Sequence, residues 1–138
     1  GIDLKDVLWE GMILKEKDFR EKVAAVLPED YTGSYVHIYN SADAIVPLWA
    51  YFLLTAKLTG HAKKMVFGMQ KDLEIILMHE ALQTYDFSEL EGKRVLVKGC
   101  SDESIPENAY VELVEKLKPI VKSLMFGEAC SNVPVFKN

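Results

Sequence analysis

The chain has 138 residues, a size typical of one domain, and its 49% apolar and 27% charged residues fit a folded protein rather than a disordered one. Its 16 basic and 21 acidic side chains give a net charge of −5, which disfavours a nucleic-acid partner. The longest uncharged apolar stretch, residues 44–56, holds 13 residues and contains Pro47. A membrane span needs about 20 residues, so we predict no membrane association.

The start of the sequence and its cysteines bear on where the protein works. No basic segment followed by an apolar core opens the chain, so we expect no signal peptide. Because the first residue is Gly1 rather than Met, we also expect natural residues before Ile2. The two cysteines, Cys100 and Cys130, are expected to be reduced thiols in a cytoplasmic protein.

Helical and strand patterns alternate along the chain. Helices are predicted where apolar residues recur at helical spacing, and strands where β-branched and aromatic residues cluster near glycine. In chain order, we predict a helix over 18–27, a strand over 35–39, a helix over 47–58, a strand over 64–67, a helix over 72–82, a strand over 94–97, a helix over 107–118, a strand over 123–126 and an edge strand over 134–136. This alternation predicts one three-layer α/β domain over 1–138, with a mostly parallel sheet of four or five strands.

An internal repeat relates the two halves of the sequence. Residues 33–69 and 92–128 align at an offset of 59, and a helix over about 72–84 would join them. Chance similarity between two strand–helix–strand segments explains the matching Val and Leu positions. It explains less well a set of matched Pro, Ala-Tyr and Phe-Gly motifs, which comprises Pro47 and Pro106, Ala50–Tyr51 and Ala109–Tyr110, and Phe67–Gly68 and Phe126–Gly127. The pattern therefore predicts two duplicated βαβ units.

Three similar loops follow predicted strands. They begin with Asn40–Ser41, Cys100–Ser101 and Cys130–Ser131, and each continues through a short polar run to an aliphatic residue and proline. In an open parallel sheet, the carboxyl ends of the strands meet at one edge, where ligands bind. We therefore expect Cys100 and Cys130 to lie side by side at that edge.

Two thiolates at one edge are typical of a metal or sulfur site. Thiolates bind zinc, iron and iron–sulfur clusters, which makes Cys100 and Cys130 the candidate metal ligands. Two thiolates do not complete a tetrahedral site, and the possible further ligands have no diagnostic spacing: Asp43, Asp102, Glu103, Glu128 and His79. Alternatively, Cys100 near a helix N-terminus would be a reactive thiol that carries a persulfide. The plainest interpretation is two unreactive cysteines packed at strand ends.

Other functions remain open. The sequence contains no C-x-x-C, no G-x-G-x-x-G and no H-E-x-x-H motif, so whether the protein is an enzyme is left undecided. An anion or small-molecule site could form at helix N-termini near Ala42–Asp43 and Asp102–Glu103. A third alternative is a scaffold whose helix with Pro47, Trp49 and Tyr51 mediates homo-oligomerisation.

Four runs of sequence resemble a known bacterial family. They cover residues 10–20 (EGMILKEKDFR), 41–51 (SADAIVPLWAY), 98–101 (KGCS) and 121–131 (VKSLMFGEACS). They are similar to domain of unknown function 2480, and the resemblance extends over nearly the whole chain. It implies a Bacteroidetes-type protein without an established activity, with iron–sulfur assembly proteins as partners. It also implies a cysteine at the position of Asn40 in relatives, and Asn40 is a poor ligand for soft metals.

Taken together, these patterns predict an accessory protein that holds a metal ion, an iron–sulfur unit or a sulfur species. Cys100 and Cys130 would be the direct ligands or carriers, with iron, zinc or an iron–sulfur cluster as the candidate cofactor. The supporting residues would be Asn40, Ser41, Asp43, Ser101, Asp102 and Ser131. Among these, Ser41 and Ser101 would orient the loops, and Asp43 would be a supporting acceptor or ligand.

Overall fold

The computed structural model describes residues 1–99, 105–128 and 131–138, and these form a mixed α/β fold. Contacts along the chain divide it into two units, Gly1–Leu73 and Glu74–Asn138. Each unit has its own three-stranded sheet and its own group of buried apolar side chains. The single domain over 1–138 stays a prediction.

Each predicted helix and strand overlaps an observed one. The elements in chain order are β1 (Ile2–Asp3), α1 (Glu16–Ala25), β2 (Tyr35–Tyr39), α2 (Leu48–Leu58), β3 (Lys64–Phe67), α3 (Gln70–Thr84), β4 (Arg94–Lys98), α4 (Glu107–Leu117), β5 (Ser123–Glu128) and β6 (Ser131–Lys137). Short 3-10 helices cover Leu4–Val7, Pro28–Tyr31 and Ser88–Leu90. The two-residue strand β1 was not predicted, because it is too short to show a period. None of the helices described here has both the length and the apolar character that a membrane span requires.

The first unit has a fully parallel sheet in the order β1-β2-β3. Alternate residues of β2, Val36 and Ile38, are buried, because successive side chains of a strand point to opposite faces. They pack against the apolar faces of α1 and α2, whose buried residues are Phe19 and Val23 in α1 and Ala50, Leu54 and Leu58 in α2. Burial of these side chains is the main favourable contribution to the stability of this unit.

The second unit has a mixed sheet in the order β4-β5-β6. β4 and β5 are parallel, whereas β6 runs antiparallel to β5. Its fully buried group is Leu117, Val121 and Leu124, against which Val95 and Val97 of β4 pack. β6 lies at the sheet edge and its pairing with β5 is irregular near Pro134, a position where a proline without an N–H is tolerated.

The predicted single sheet of four or five strands is wrong, since the described strands form two sheets of three. An alternation of helices and strands predicts parallel crossovers but does not say which strands pair. Only two residues connect β5 to β6, too few for a crossover, so those strands pair as an antiparallel hairpin. As a consequence, the three Asn-Ser or Cys-Ser loops do not follow strands of one sheet: the first follows β2, and the other two follow β4 and β5.

The strand–helix–strand segments of the two units have corresponding bounds. β2 begins at Tyr35 and β4 at Arg94, which is 59 residues later. α2 and α4 span Leu48–Leu58 and Glu107–Leu117, at the same offset. The strand registers correspond as well, because Tyr35 pairs with Lys64 and Arg94 pairs with Ser123.

Candidate functional site

The carboxyl ends of β4 and β5 bring together the residues that flank the two cysteines. Lys98 at the end of β4 pairs with Gly127 of β5. Beyond it, the Gly99 N–H donates a hydrogen bond to the Gly127 carbonyl oxygen, with 3.0 Å between nitrogen and oxygen. Cys100 is the next residue after Gly99, and Cys130 is three residues after Gly127. The described neighbours of both cysteines therefore occupy the same end of the second sheet.

Several predicted site residues lie outside the described part of the chain. These are Cys100, Ser101, Asp102 and Glu103, which follow β4 in the sequence, and Cys130, which follows β5. Ser131 is described: it is the first residue of β6, it pairs with Glu128, and it is exposed. The prediction that the cysteines are metal ligands, with Ser101, Asp102 and Ser131 in support, stays a prediction.

An aromatic ring fixes the approach of the chain to Cys100. The Phe126 ring lies so close to the Gly99 Cα that a Cβ at position 99 would overlap its ring atoms. The Tyr110 ring of α4 contacts the Phe126 ring edge to face, with 5.9 Å between the ring centroids. Glycine is therefore required directly before Cys100, because only a residue without a side chain leaves room for this ring. The run of residues 98–101 singled out this glycine, but the sequence did not indicate that the Phe126 ring packs against it.

Asn40 has a structural role within its own loop. Its side-chain Oδ1 accepts a hydrogen bond from the Ala42 N–H at 2.9 Å, and its Nδ2 donates to the Ala44 carbonyl oxygen at 3.1 Å. Both ends of the amide are thus used by the backbone, as in the turns that asparagine commonly stabilises. These bonds give Asn40 a role in forming the loop, and its predicted role as a supporting site residue stays a prediction.

Ser41 is bound by Asp3, a residue that sequence reasoning missed. The Asp3 carboxylate accepts hydrogen bonds from the Ser41 N–H at 3.0 Å, from the Ser41 hydroxyl, and from the Lys5 N–H at 3.0 Å. Desolvation raises the pKa of Asp3, but the hydrogen bonds from Ser41 and Lys5 outweigh it, so the pKa lies below its ordinary value of 3.8. Because Asp3 and Ser41 are 38 residues apart, no local motif indicated the pair.

The first loop does not place an anion cradle at Ala42–Asp43. α2 begins at Leu48, five residues after Asp43, and Pro47 is its N-cap residue. The Ala42 N–H is already bound to Asn40. Asp43 is exposed and carries a negative charge, which opposes anion binding. The N–H groups that a helix N-terminus offers to anions therefore lie further along the chain than predicted.

His79, a possible further metal ligand, contacts a carboxylate through one of its two ring nitrogens. Its Nδ1 contacts the Glu112 carboxylate of α4, and this histidine is about half exposed on α3. Nowhere in the described ranges do three His, Cys, Asp or Glu side chains come together as a metal site would require.

Comparisons with known proteins identify the family but no characterised relative. The sequence model of the family "Protein of unknown function (DUF2480)" matches residues 1–138. No curated protein matches the chain, and no solved structure does. Since the match extends over the whole chain, the protein belongs to the DUF2480 family, whose function is unknown.

Proposed function

We propose that this protein is an accessory protein that holds a thiophilic metal ion, an iron–sulfur unit or a sulfur species on Cys100 and Cys130, for proteins of iron–sulfur assembly. The observation that carries the proposal is the hydrogen bond between the Gly99 N–H and the Gly127 carbonyl oxygen. It joins the two chain segments at the point where each continues toward its cysteine. Cys100 lies one residue beyond this link and Cys130 three residues beyond it.

The ligand chemistry of the two segments suits a transfer role. Two thiolates occupy half of a tetrahedral coordination shell. Asn40, whose amide is used within its own loop, is a poor candidate for the remaining positions. The open positions would be filled by a small molecule or by a partner protein. A site with open positions can pass its ion or sulfur to the next protein, as an accessory protein must.

Metal binding by cysteine variants tests this proposal. The reduced protein, purified without a metal-affinity step, is titrated with Zn²⁺ and separately, without oxygen, with Fe²⁺, and bound metal is measured by elemental analysis. We expect about one bound metal ion for each chain, which is the stoichiometry of a single site formed by two thiolates. Cys100→Ser and Cys130→Ser should each weaken binding at least about 10-fold, because serine is a much harder ligand than thiolate.

A matched control separates a thiolate site from adventitious binding. Ser123→Ala, at the opposite end of β5, should leave metal binding unchanged. Mass spectrometry of the protein after sulfide and oxidant treatment detects a persulfide on either cysteine. Equal metal binding by the double cysteine variant, or absence of both metal binding and persulfide in the unmodified protein, would contradict the proposal.

We also propose that residues 33–69 and 92–128 are duplicated βαβ units within one domain. Support comes from contacts that depend on residue identity as well as on periodicity. Tyr51 and Phe67 form an edge-to-face pair with 5.3 Å between centroids, and the matching pair of Tyr110 and Phe126 has 5.9 Å. In each segment a glycine N–H before the first strand bonds to a carbonyl oxygen after the helix, Gly33 to His61 at 3.1 Å and Gly92 to Ile120 at 2.8 Å.

A further inference from the structure

Helix α2 has a second apolar face that its own unit does not cover. Its buried face carries Ala50, Leu54 and Leu58, which pack into the core of the first unit. On another face, the Leu48 and Phe52 side chains are 75% and 74% exposed. Residues four apart on a helix are neighbours, so these two side chains form a raised apolar ridge along α2. We call it the α2 ridge.

A groove lies on each side of the α2 ridge. The groove toward β3 has a volume of about 260 Å³ and is lined mainly by apolar side chains, namely those of Ile38, Leu48, Tyr51, Thr55, Met65, Val66 and Phe67. The groove toward α1 has a volume of about 360 Å³ and is lined by Phe52, Trp49, Leu53, Glu16 and Arg20. The same surface therefore offers both a ridge and the grooves that a similar ridge could fill.

The second unit provides an internal comparison for this face. At the positions of α4 that correspond to Leu48, Phe52 and Leu53, the residues are Glu107, Val111 and Glu112. α4 occupies the same place between two parallel strands, so such a helix packs in its unit without an apolar ridge. The α2 ridge is consequently not a requirement of the fold, and large exposed apolar groups of this kind mark interaction surfaces.

We propose that the α2 ridge binds a second copy of the chain in a two-fold symmetric dimer. In ridges-into-grooves packing, the i to i+4 ridges of two helices fit into each other's grooves at about −50°. A two-fold interface uses the same patch on both copies, so that patch must be self-complementary. The α2 ridge and its grooves meet this condition, since the ridge of each copy can enter a groove of the other.

The charges at the rim of this patch favour a second copy over a highly charged partner. Glu16 and Arg20 border the groove toward α1, and their side chains are exposed with 3.1 Å between Oε1 and Nε. A rim with one charge of each sign is neutral, and under two-fold symmetry Glu16 of one copy can face Arg20 of the other. Arg20 also lies over the Trp49 ring, 5.6 Å from its centroid, and arginine and tryptophan are enriched in protein interfaces.

Sedimentation equilibrium of ridge variants tests the dimer. We expect the unmodified protein to dimerise below about 100 µM, and Leu48→Glu with Phe52→Glu to raise Kd at least about 100-fold. Val111→Glu on α4, at the position that corresponds to Phe52 and 59% exposed, should leave Kd unchanged. Because all three positions are exposed, circular dichroism should show that each variant stays folded. An unmodified protein that is monomeric at about 100 µM, or ridge variants that still dimerise equally well, would overturn the proposal.

Mixing of charge variants tests whether the partner is a second copy in this arrangement. Arg20→Glu makes both rim positions acidic, and Glu16→Arg makes both basic. Each variant alone should dimerise more weakly than the unmodified protein, because like charges then face each other across the two-fold axis. An equimolar mixture should form a heterodimer with affinity restored. A mixture that associates no better than the separate variants would show that the rims do not meet.

Discussion

The two βαβ segments share a packing scheme and differ at their surfaces and ends. Leu58 and Leu117 occupy corresponding positions, and each is almost completely buried. By contrast, the exposed residues of α2 are apolar, whereas those of α4 include acidic and polar residues beside Val111 and Val114. Beyond the second strand, the first segment continues into α3 and the second into the hairpin with β6. The buried positions at which the helix packs against the strands are thus alike in both segments. The exposed residues of the helix and the chain that follows the second strand differ.

This difference agrees with separate proposed roles for the two segments, one in self-association and one in metal or sulfur binding. The first segment carries the apolar ridge that we propose for self-association, and its loop after β2 is closed by Asn40 and Asp3. The second segment carries Cys100 directly after Gly99, and Cys130 follows two residues after the end of β5. Under the duplication that we propose, one segment can keep a binding site while the other acquires an interface.

The largest expected effects come from truncation of the two corresponding core leucines. Leu58→Ala and Leu117→Ala should each lower the free energy of unfolding by about 2–5 kcal/mol, because each removes fully buried methyl groups and leaves a cavity. If residues 1–138 fold as one domain, urea denaturation followed by fluorescence and circular dichroism should show one transition that both variants shift. A variant that shifts only part of the signal would show that the segments unfold separately.

Gly68 and Gly127 occupy corresponding positions in the two segments, and substitution by alanine should destabilise the protein more at Gly68. Gly68 has a φ of 134°, and a Cβ there would lie 2.5 Å from Asp72 Oδ2, the oxygen that accepts a hydrogen bond from the Met69 N–H at the start of α3. Gly127 lies in extended strand β5, where the nearest atom to a Cβ would be 3.2 Å away. We expect Gly68→Ala to cost about 3 kcal/mol of unfolding free energy and Gly127→Ala below about 1 kcal/mol. Equal losses of unfolding free energy for the two variants in denaturant titrations would contradict this prediction.

The smallest expected effect concerns the hydrogen bonds between Asp3, which lies in β1, and Ser41, which follows β2. The pKa of Asp3 is lowered in the folded state, so its ionised form stabilises the fold above the ordinary pKa of 3.8, and this contribution is lost as pH falls through the lower folded value. Asp3→Asn should therefore reduce stability at pH 7 by less than about 1 kcal/mol, because solvent screens the pair.

Thermal unfolding from pH 2 to 7 measures the effect of Asp3→Asn. The difference from the unmodified protein should be constant at neutral pH and should shrink toward acidic pH. Asp43→Asn is the matched control, because Asp43 is an exposed carboxylate on the same loop as Ser41. A pH-independent difference for Asp3→Asn, or an equal difference for Asp43→Asn, would contradict the assigned role of Asp3.

Much of the local structure was predictable from the sequence, and less of the candidate site. The strands at Tyr35–Tyr39 and Lys64–Phe67 agree with their predicted bounds, because clusters of β-branched and aromatic residues favour extended backbone. The contact of Phe126 with Gly99 and the bond between Asp3 and Ser41 were not predicted, because each joins residues far apart in sequence.

By itself, the sequence determined the order of the helices and strands, the segments that resemble each other, and the family. The order of the elements follows from local periodicity, which the backbone geometry of helices and strands sets. The similar segments and the family follow from the identities of residues at matched positions. Only the tertiary structure decided that the described strands form two sheets, that β6 returns antiparallel beside β5, and that one face of α2 is left exposed. Strand pairing and burial depend on contacts between residues that are distant in sequence, and a local pattern contains no information about those contacts.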